Sequence, residues 1–415
     1  MKQIYNIVIL FLFVSLFSCS NTPAYYAHSS INIPTINKEE YKNPVDSDAF
    51  EISEVIHLEL PSGIADVQGR PVFCNDRIYM YDVSREYVLA FDSIGKFLFK
   101  VGGLGHARNE IIDRIETFDV DRRTNYVHVY NRQGMKIIVF DDKGEYVKTI
   151  MLHDCLPSSI VIANDGSYIA SLNCLSSSDG HSKLAILDNK GKISKVLMED
   201  KDKNDITCEG YNTRPLFSDH KGNALYLSML SDSIVQVSGD TIQHVFNVDF
   251  ADGFLSESEI RQAKKAGKLP EDFDNIKYIS KCAMTDAYCL VEFMGKRDDS
   301  HNVQNYTYLL DRKTKRPYLF SSYIDFPGLF GHVSNIVDDE FICVILEEDV
   351  LNGKASYEEY DKISKYRAKV GLPAIPLEVY LKDNGINAFS LDLLKHPQKV
   401  PLILKIKLKS YSIQK

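Results

Sequence analysis

The chain has 415 residues, of which 44% are hydrophobic and 25% are charged, and these values are ordinary for a globular protein. Its formal net charge is −9, and no basic cluster reverses it locally, which excludes a protein that holds nucleic acid through its overall field. Tryptophan is absent while tyrosine (24) and phenylalanine (21) are plentiful, which argues against repeats of the WD type.

The first residues have the features of a lipoprotein signal peptide. Lys2 supplies a positive charge, residues 7–16 form an apolar run, and Leu16-Phe17-Ser18-Cys19 follows. The run is too short and wrongly flanked for a membrane span. The last four residues resemble a bacterial lipobox, and this resemblance implies that residues 1–18 are removed and that Cys19 carries lipid. The alternative is an ordinary signal peptide in which Cys19 is incidental.

Residues 19–50 are predicted to be a flexible tether, because they are rich in Ser, Asn, Pro and Tyr and show no clear period. No acidic cluster follows Cys19, although some lipoproteins that reach the outer surface carry one. The sequence therefore predicts a lipid-anchored protein of the bacterial cell envelope, on the outer membrane, with the periplasmic face favoured over the cell surface. The membrane is the partner that the leader implies.

The stretch Ile78–Ile150 contains the same pattern twice. Strand-like runs at 78–82, 88–92 and 96–101 recur at 127–131, 137–141 and 145–150, and Gly95 recurs 49 residues later as Gly144. A repeat of this period, built from β-branched and aromatic residues, predicts four-stranded blades of a β-propeller. Glu51–Leu60 also alternates like a strand and is predicted to complete the last blade, so that the ring closes.

The glycine that marks the repeat returns at Gly191 and Gly239. The fold class predicted for residues 51–410 is all-β, a six-bladed β-propeller of four-stranded antiparallel blades. The predicted segments are blades at 64–101, 112–152, 158–198 and 213–250, a fifth blade with strands at 288–293 and 306–311, and a sixth from 333 to a last strand at 400–408. Capping boxes and the glycines that follow them predict two short helical inserts, at about 255–268 and 355–371.

A glycine-rich connector, Val101–Glu110, joins the first two blades and has three glycines in four positions. It does not follow the GxGxxG or GKS/T pattern, and it joins two strands, so a phosphate cradle is rejected. We interpret it as a tight crossover that needs unusual backbone dihedrals.

The lipobox, the Phe-Asp-x-x-Gly turns at Phe91–Gly95 and Phe140–Gly144, and the connector ahead of Phe118–Asp121 together resemble a known family. It is a family of six-bladed β-propeller lipoproteins of Bacteroides-like bacteria, of the NHL or YVTN type. The connector departs from the family's usual Gly-Pro-Gly-Glu form. The resemblance implies an uncharacterised function, with no common catalytic set to carry over.

Loops that enter the innermost strands of a propeller surround the mouth of its central channel, where ligands usually bind. The polar residues of these loops form the candidate ligand-binding set: His106, Arg108, Asn109, His153, Asp154, Asn212, Arg214 and His332. The three histidines could meet at one metal, but no fixed spacing supports this, and neither a metal nor a cofactor is predicted. An arginine could clamp a carboxylate or simply pair with a blade aspartate.

Seven cysteines follow Cys19, and one pair is a possible disulfide. A two-residue turn at Thr285-Asp286 would place Cys282 directly opposite Cys289 on adjacent strands, within bonding reach. The alternative is that both are buried thiols that act as small hydrophobic side chains.

Two functions remain open. The first is a non-enzymatic, lipid-anchored binding or scaffolding module for a glycan, a peptide or an envelope protein. The alternative is a hydrolase or lyase, metal-assisted or not, at the channel mouth; it requires at least two of the candidate side chains to meet in a pocket. No catalytic residue is predicted, because the aspartates that recur after strands (Asp82, Asp92, Asp141, Asp188 and Asp311) are predicted to stabilise turns.

Overall fold

The structure, a computed structural model, describes most of the predicted propeller. The described residues are 29–36, 50–64, 67–177, 182–199, 215–219, 221–227, 231–255, 259, 262, 265–267, 275–276, 278–296, 303–321, 332–346, 358, 360–376 and 401–409. The leader, Cys19 and most of the predicted tether lie outside them. Within them, no helix combines the length and the apolar character needed to cross a membrane.

Two strands precede the first blade: β1 spans Ser29–Ile36 and β2 spans Phe50–His57. Each joins a sheet that forms much later in the chain, β1 in the fourth blade and β2 in the sixth. The tether prediction did not include β1. Its strand pattern consists of only three isoleucines, of which Ile33 and Ile36 are buried.

Blades one to three each run from the innermost to the outermost strand in chain order, with antiparallel neighbours. Their strands are β3 Val67–Cys74, β4 Arg77–Asp82, β5 Tyr87–Asp92 and β6 Phe97–Gly102 in blade one; β7 Thr117–Asp121, β8 Tyr126–Asn131, β9 Lys136–Phe140 and β10 Tyr146–Met151 in blade two; and β11 Cys155–Ile162, β12 Tyr168–Ser177, β13 Ser182–Leu187 and β14 Ile193–Glu199 in blade three.

Blades four to six complete the ring. Their strands are β15 Leu216–Ser218, β16 Ala224–Leu227, β17 Ser233–Ser238 and β18 Thr241–Phe250 in blade four; β19 Tyr278–Met284, β20 Tyr288–Lys296, β21 Val303–Asp311 and β22 Arg316–Ser321 in blade five; and β23 His332–Val337, β24 Glu340–Ile345 and β25 Leu402–Leu408 in blade six. β2 is the outermost strand of blade six and pairs antiparallel with β25. The all-β, six-bladed prediction and the predicted closure are therefore confirmed.

The second predicted insert contains a helix, α1, over residues 360–369, between β24 and β25. Gly371 ends it with a φ of 72°, and the amide of Leu372 donates to the carbonyl of Arg367 at 2.9 Å, which is the hydrogen bond of a Schellman cap. The first predicted insert, at 255–268, lies largely outside the described residues.

One turn joins the third and fourth strands of blades one to three. In each, an aspartate Oδ1 accepts the amides two and four residues later, at 2.8–3.1 Å. The three aspartates are Asp92, Asp141 and Asp188. Asp82 and Asp311 likewise accept the amide two residues later, so the aspartates that recur in the sequence do stabilise turns.

The glycine of this turn also sets the contact with the preceding blade. Gly95, Gly144 and Gly191 have φ values of 90°, 86° and 77°. An added Cβ would lie 2.0 Å from the carbonyl oxygen of His57 at Gly95, and 2.8 Å from the ring of Phe99 at Gly144. The 49-residue repeat therefore encodes both the turn and the spacing between blades.

The core lies between the faces of adjacent blades. One cluster, for example, packs Tyr79 and Val88 of blade one against Val120 and Val127 of blade two. All four are at most 1% exposed. Each interface between neighbouring blades thus buries apolar side chains from both sheets, as the twisted sheets of a ring require.

The predicted pairing of Cys282 with Cys289 is wrong. Cys289 lies opposite Met284, while Cys282 lies opposite Val291, and both cysteines are buried free thiols. The hydroxyl of Thr285 accepts the amides of residues 287 and 288, at 3.2 and 3.0 Å. This side-chain-stabilised turn moves the loop one residue along and so shifts the register.

Candidate functional site

The described cavity lies in the central channel. It has a volume of about 170 Å³ and is lined by the innermost strands of blades one, two, three, four and six. Its walls are mainly apolar, and Phe73, Ile115, Ile160, Leu216 and Val337 are typical of them. A small number of polar side chains interrupt these walls, which is the usual composition of a small-molecule site.

Arg70 of β3 reaches across this channel. Its Nη2 donates to Oδ1 of Asn335 in blade six, and its guanidinium carbon lies 5.2 Å from the ring centroid of Phe217 in blade four. Burial lowers the pKa of Arg70 to about 10, so the side chain stays charged at neutral pH. Its Nη1 is buried and has no hydrogen-bond partner among the described residues.

Arg122 follows β7 and bridges blades two and four. Its Nη2 donates to the hydroxyl of Ser218 at 3.2 Å and to the carbonyl of Asp219 at 3.0 Å. The side chain of Asp219 also stabilises the β-turn that follows it, because its Oδ1 accepts the amides of Lys221 and Asn223 at 2.9 and 2.7 Å. Arg122 therefore ties together two innermost strands that are not adjacent in the ring.

Asp119 of β7 joins blades two and three. One carboxylate oxygen accepts the amide of Ile162 in β11 at 2.8 Å, and the other accepts the amide of Val120 at 2.9 Å. Burial raises the pKa of Asp119, and the charge of Arg122 partly opposes this. Because both oxygens already accept backbone donors, Asp119 is a structural link between blades.

The structure places the candidates of the first connector away from the cavity. His106, Arg108 and Asn109 are exposed, and the carbonyl of Arg108 accepts Nζ of Lys136 and the hydroxyl of Thr149, both at 3.2 Å. These partners belong to the third and fourth strands of blade two. The connector thus covers the outer part of its own blade.

Glycine explains this course of the connector. Gly102 and Gly103 have φ values of 93° and 97°, as the crossover interpretation expected. The amide of Ile111 donates to the carbonyl of Gly103, and the amide of Gly105 donates to the carbonyl of Ile111, both at 2.9 Å. These bonds close the loop on itself.

The remaining candidates lie partly outside the described residues. His153 is exposed and Asp154 is partly exposed, between β10 and β11, and neither lines the cavity. Asn212 and Arg214 lie outside the described residues. His332 begins β23, but its side chain also lies outside them. No three or more His, Cys, Asp or Glu side chains of the described part come together as a metal site.

Sequence reasoning missed Arg70 and Arg122. A signal for Arg70 was present, because it is the one charged residue of the stretch 67–73, near the start of the predicted first blade, where the innermost strand of that blade is expected. Side chains of such a strand point into the channel or into a blade interface, and a charge fits only the former. Arg122 had no comparable signal, since it sits in a run of four charged residues and one valine, Asp119–Arg123, in which no charge stands out.

Comparisons with known proteins support the fold. An exported protein of Bacteroides fragilis is 16% identical with a TM-score of 0.65, and the match covers 92% of this chain and 99% of that one. A member of the DUF4221 family from Bacteroides vulgatus is 10% identical, with a TM-score of 0.46 and coverage of 72% and 93%. A virginiamycin B lyase of Staphylococcus aureus is 10% identical, with a TM-score of 0.38 and coverage of 71% and 95%.

The first of these structures shares the propeller fold, and the other two are too dissimilar to support an argument. None of the curated proteins compared with the chain matches it. The family described as domain of unknown function DUF4934 matches residues 31–371, most of the chain and all but the end of the ring. The resemblance to an uncharacterised propeller family is thus confirmed, and the protein belongs to the DUF4934 family.

Proposed function

We propose that the protein is a lipid-anchored binding module of the cell envelope whose ligand enters the central channel. The observation that carries the proposal is the mainly apolar cavity of the channel, in whose wall the buried Nη1 of Arg70 has no hydrogen-bond partner among the described residues. A concave, mainly apolar site with a few polar groups that can orient a ligand is suited to binding.

The location rests on the leader and on one similar protein. Residues 1–19 resemble a lipoprotein signal with its acylated cysteine, and the Bacteroides fragilis protein of the same fold is described as exported. The outer membrane and its periplasmic face remain part of this proposal. A glycan, a peptide or an envelope protein could each present the group that enters the channel.

The enzyme alternative receives less support. The described lining of the cavity includes the hydroxyls of Thr117 and Ser218, but no histidine, cysteine or lysine that could activate them. Its carboxylates are engaged, Asp119 by two backbone amides and Glu116 by Arg114 at 3.4 Å. A hydrolase or lyase would need its general base from elsewhere.

Site-specific photo-crosslinking tests the binding role. A benzophenone amino acid in place of Phe217, in the cavity wall, should capture a ligand when the full chain is irradiated in its native envelope. The matched control replaces Leu98, which is 41% exposed on an outermost strand. Mass spectrometry of the modified peptide identifies the adduct. If a ligand were captured only at position 98, the binding surface would lie on the outer rim of the ring, and the proposal of binding in the channel would be refuted.

The anchor is tested separately by Cys19→Ser. Metabolic labelling with an alkyne fatty acid should mark the natural chain and leave the variant unlabelled, and the variant should move from the membrane to the soluble fraction. Equal labelling of the two chains would refute the anchor while leaving the channel proposal intact.

A further inference from the structure

Arg70 places a cation in the wall of the channel. Among the described residues, no carboxylate lies within ion-pair distance of Arg70, whose polar contact is the side-chain amide oxygen of Asn335. Its Nη1 is buried and unpartnered. A buried charge is costly unless it is both paired and hydrogen-bonded, so such a group calls for an explanation.

The acidic side chains nearby are already occupied. Glu116 pairs with Arg114, Asp119 accepts two backbone amides, and Asp219 accepts the amides of its own turn. Moving Asp119 toward Arg70 would break its hydrogen bond to blade three, and moving Asp219 would break the hydrogen bonds of its own turn. Burial lowers the pKa of Arg70 and the charge of Asp219 partly opposes this, but no described residue supplies a carboxylate that is hydrogen-bonded to its Nη1.

We infer that the channel binds a small organic monocarboxylate, with the carboxylate group on the guanidinium of Arg70 and an apolar body between the innermost strands. This inference rests on the proposed binding function and names its ligand class. A guanidinium presents two parallel N–H donors that match the two oxygens of a carboxylate. One unpaired cation neutralises one negative charge.

The walls and the volume of the cavity limit the polarity and the size of the remaining part of the ligand. Apolar side chains such as Pro71, Ile160, Val161 and Leu216 offer contact area but no donors. A phosphate or sulfate dianion would leave charge and acceptors unpaired against them. A cavity of about 150 Å³ holds benzene, so about 170 Å³ admits a body of roughly one ring or a short alkyl chain.

Calorimetric titration of the full chain in detergent tests the inference with matched probes. Phenylacetate should bind, while 2-phenylethanol, which has a similar shape and no charge, should bind at least about tenfold more weakly. Inorganic phosphate should also be weaker than phenylacetate. A peptide that ends in Phe, with a free or an amidated terminus, then shows whether the carboxylate comes from a peptide or a free acid.

Variants of Arg70 locate the site. Arg70→Met should weaken phenylacetate binding at least about tenfold. Arg70→Lys keeps the charge but loses the two parallel N–H donors, so its affinity should lie between those of the natural chain and Arg70→Met. The matched control is Arg77→Met, because Arg77 also stacks on a ring, Phe99 at 5.7 Å, and donates to a carbonyl, that of Asp142, but outside the cavity. It should leave the affinity unchanged.

Three outcomes would overturn the inference: equal affinity for acid and alcohol, tighter binding of phosphate, or full affinity in Arg70→Met. Thermal unfolding of each variant tests whether it is folded. If Arg70→Met does not fold, the affinity of Arg70→Lys is compared with that of the natural chain instead. A neutral ligand captured at position 217 would support the binding proposal while ending this inference, so the two fail separately.

Discussion

At the scale of single residues, buried polar contacts between blades are the features that local patterns reveal least. His128 of blade two lies 2.8 Å from the hydroxyl of Tyr168 in blade three, and it is 7% exposed. In the sequence it is a lone histidine in a strand, which equally well describes a surface residue. The aspartates of the turns were predictable because their partners lie within four residues of them.

His128 predicts a pH dependence of stability. Burial lowers its pKa from 6.5 to about 4, so between these values the unfolded chain binds a proton that the folded protein does not. The stability contributed by the neutral ring is therefore complete above pH 6.5 and is lost as the pH falls toward 4, by about 3 kcal/mol. Urea unfolding at pH 7, 6, 5 and 4 measures this loss.

The variant His128→Gln should lose about 3 kcal/mol less than the natural chain over that interval, because its side chain does not titrate. The control variant His106→Gln, at an exposed loop position, should show the same dependence of unfolding free energy on pH as the natural chain. Parallel curves for the natural chain and His128→Gln would show that the histidine is not held neutral by the fold.

At the scale of elements, the repeat predicts those blades best in which the strand runs and the turn glycine recur at matched positions. Blades one and two have gapless, matched runs, and both were predicted with nearly the observed strands. β1 was missed because eight residues with three isoleucines do not stand out against a polar segment. The register of β19 and β20 was missed because the hydroxyl of Thr285, acting on amides 287 and 288, decides the turn.

The turn glycines should differ in how strongly they resist substitution. Gly95→Ala places a methyl group 2.0 Å from a backbone oxygen of blade six, at a φ of 90°, so we expect a loss of at least about 3 kcal/mol. Gly239→Ala is the matched control, because Gly239 has a φ of 57° and nothing within 4 Å of the added Cβ. It should cost about 1 kcal/mol.

Denaturant unfolding of the two variants measures the difference. Equal losses would mean that only the backbone conformation matters, and that the close packing of the turn on the preceding blade contributes nothing. The result bears on the 49-residue spacing between Gly95 and Gly144, because both of these glycines pack closely on the preceding blade.

At the scale of the whole molecule, the site exists only after the ring has closed. Arg70 and Asn335 are 265 residues apart in the chain, and Phe217 comes from a third blade. No local pattern can bring these three residues together. The sequence did predict the ring and its closure, but predicting the cavity requires the facing direction of side chains on the innermost strands of five blades. The prediction therefore placed the site on loops, where polar residues are easiest to recognise.

Closure itself gives the last prediction, because the two N-terminal strands bury similar isoleucines with different consequences. Ile56 of β2 is 2% exposed in the strand that completes blade six, and Ile33 of β1 is 5% exposed in a fifth strand added to a complete blade four. Ile56→Asp should open the ring and make the whole domain susceptible to limited proteolysis, since a buried unpaired charge breaks the closing sheet. Ile33→Asp should release β1 alone, with cleavage between β1 and β2 and survival of the rest. Val55→Asp, on the exposed side of β2, should resist like the natural chain. If Ile33→Asp were degraded as completely as Ile56→Asp, β1 would be part of the closure, and the ring would depend on both strands.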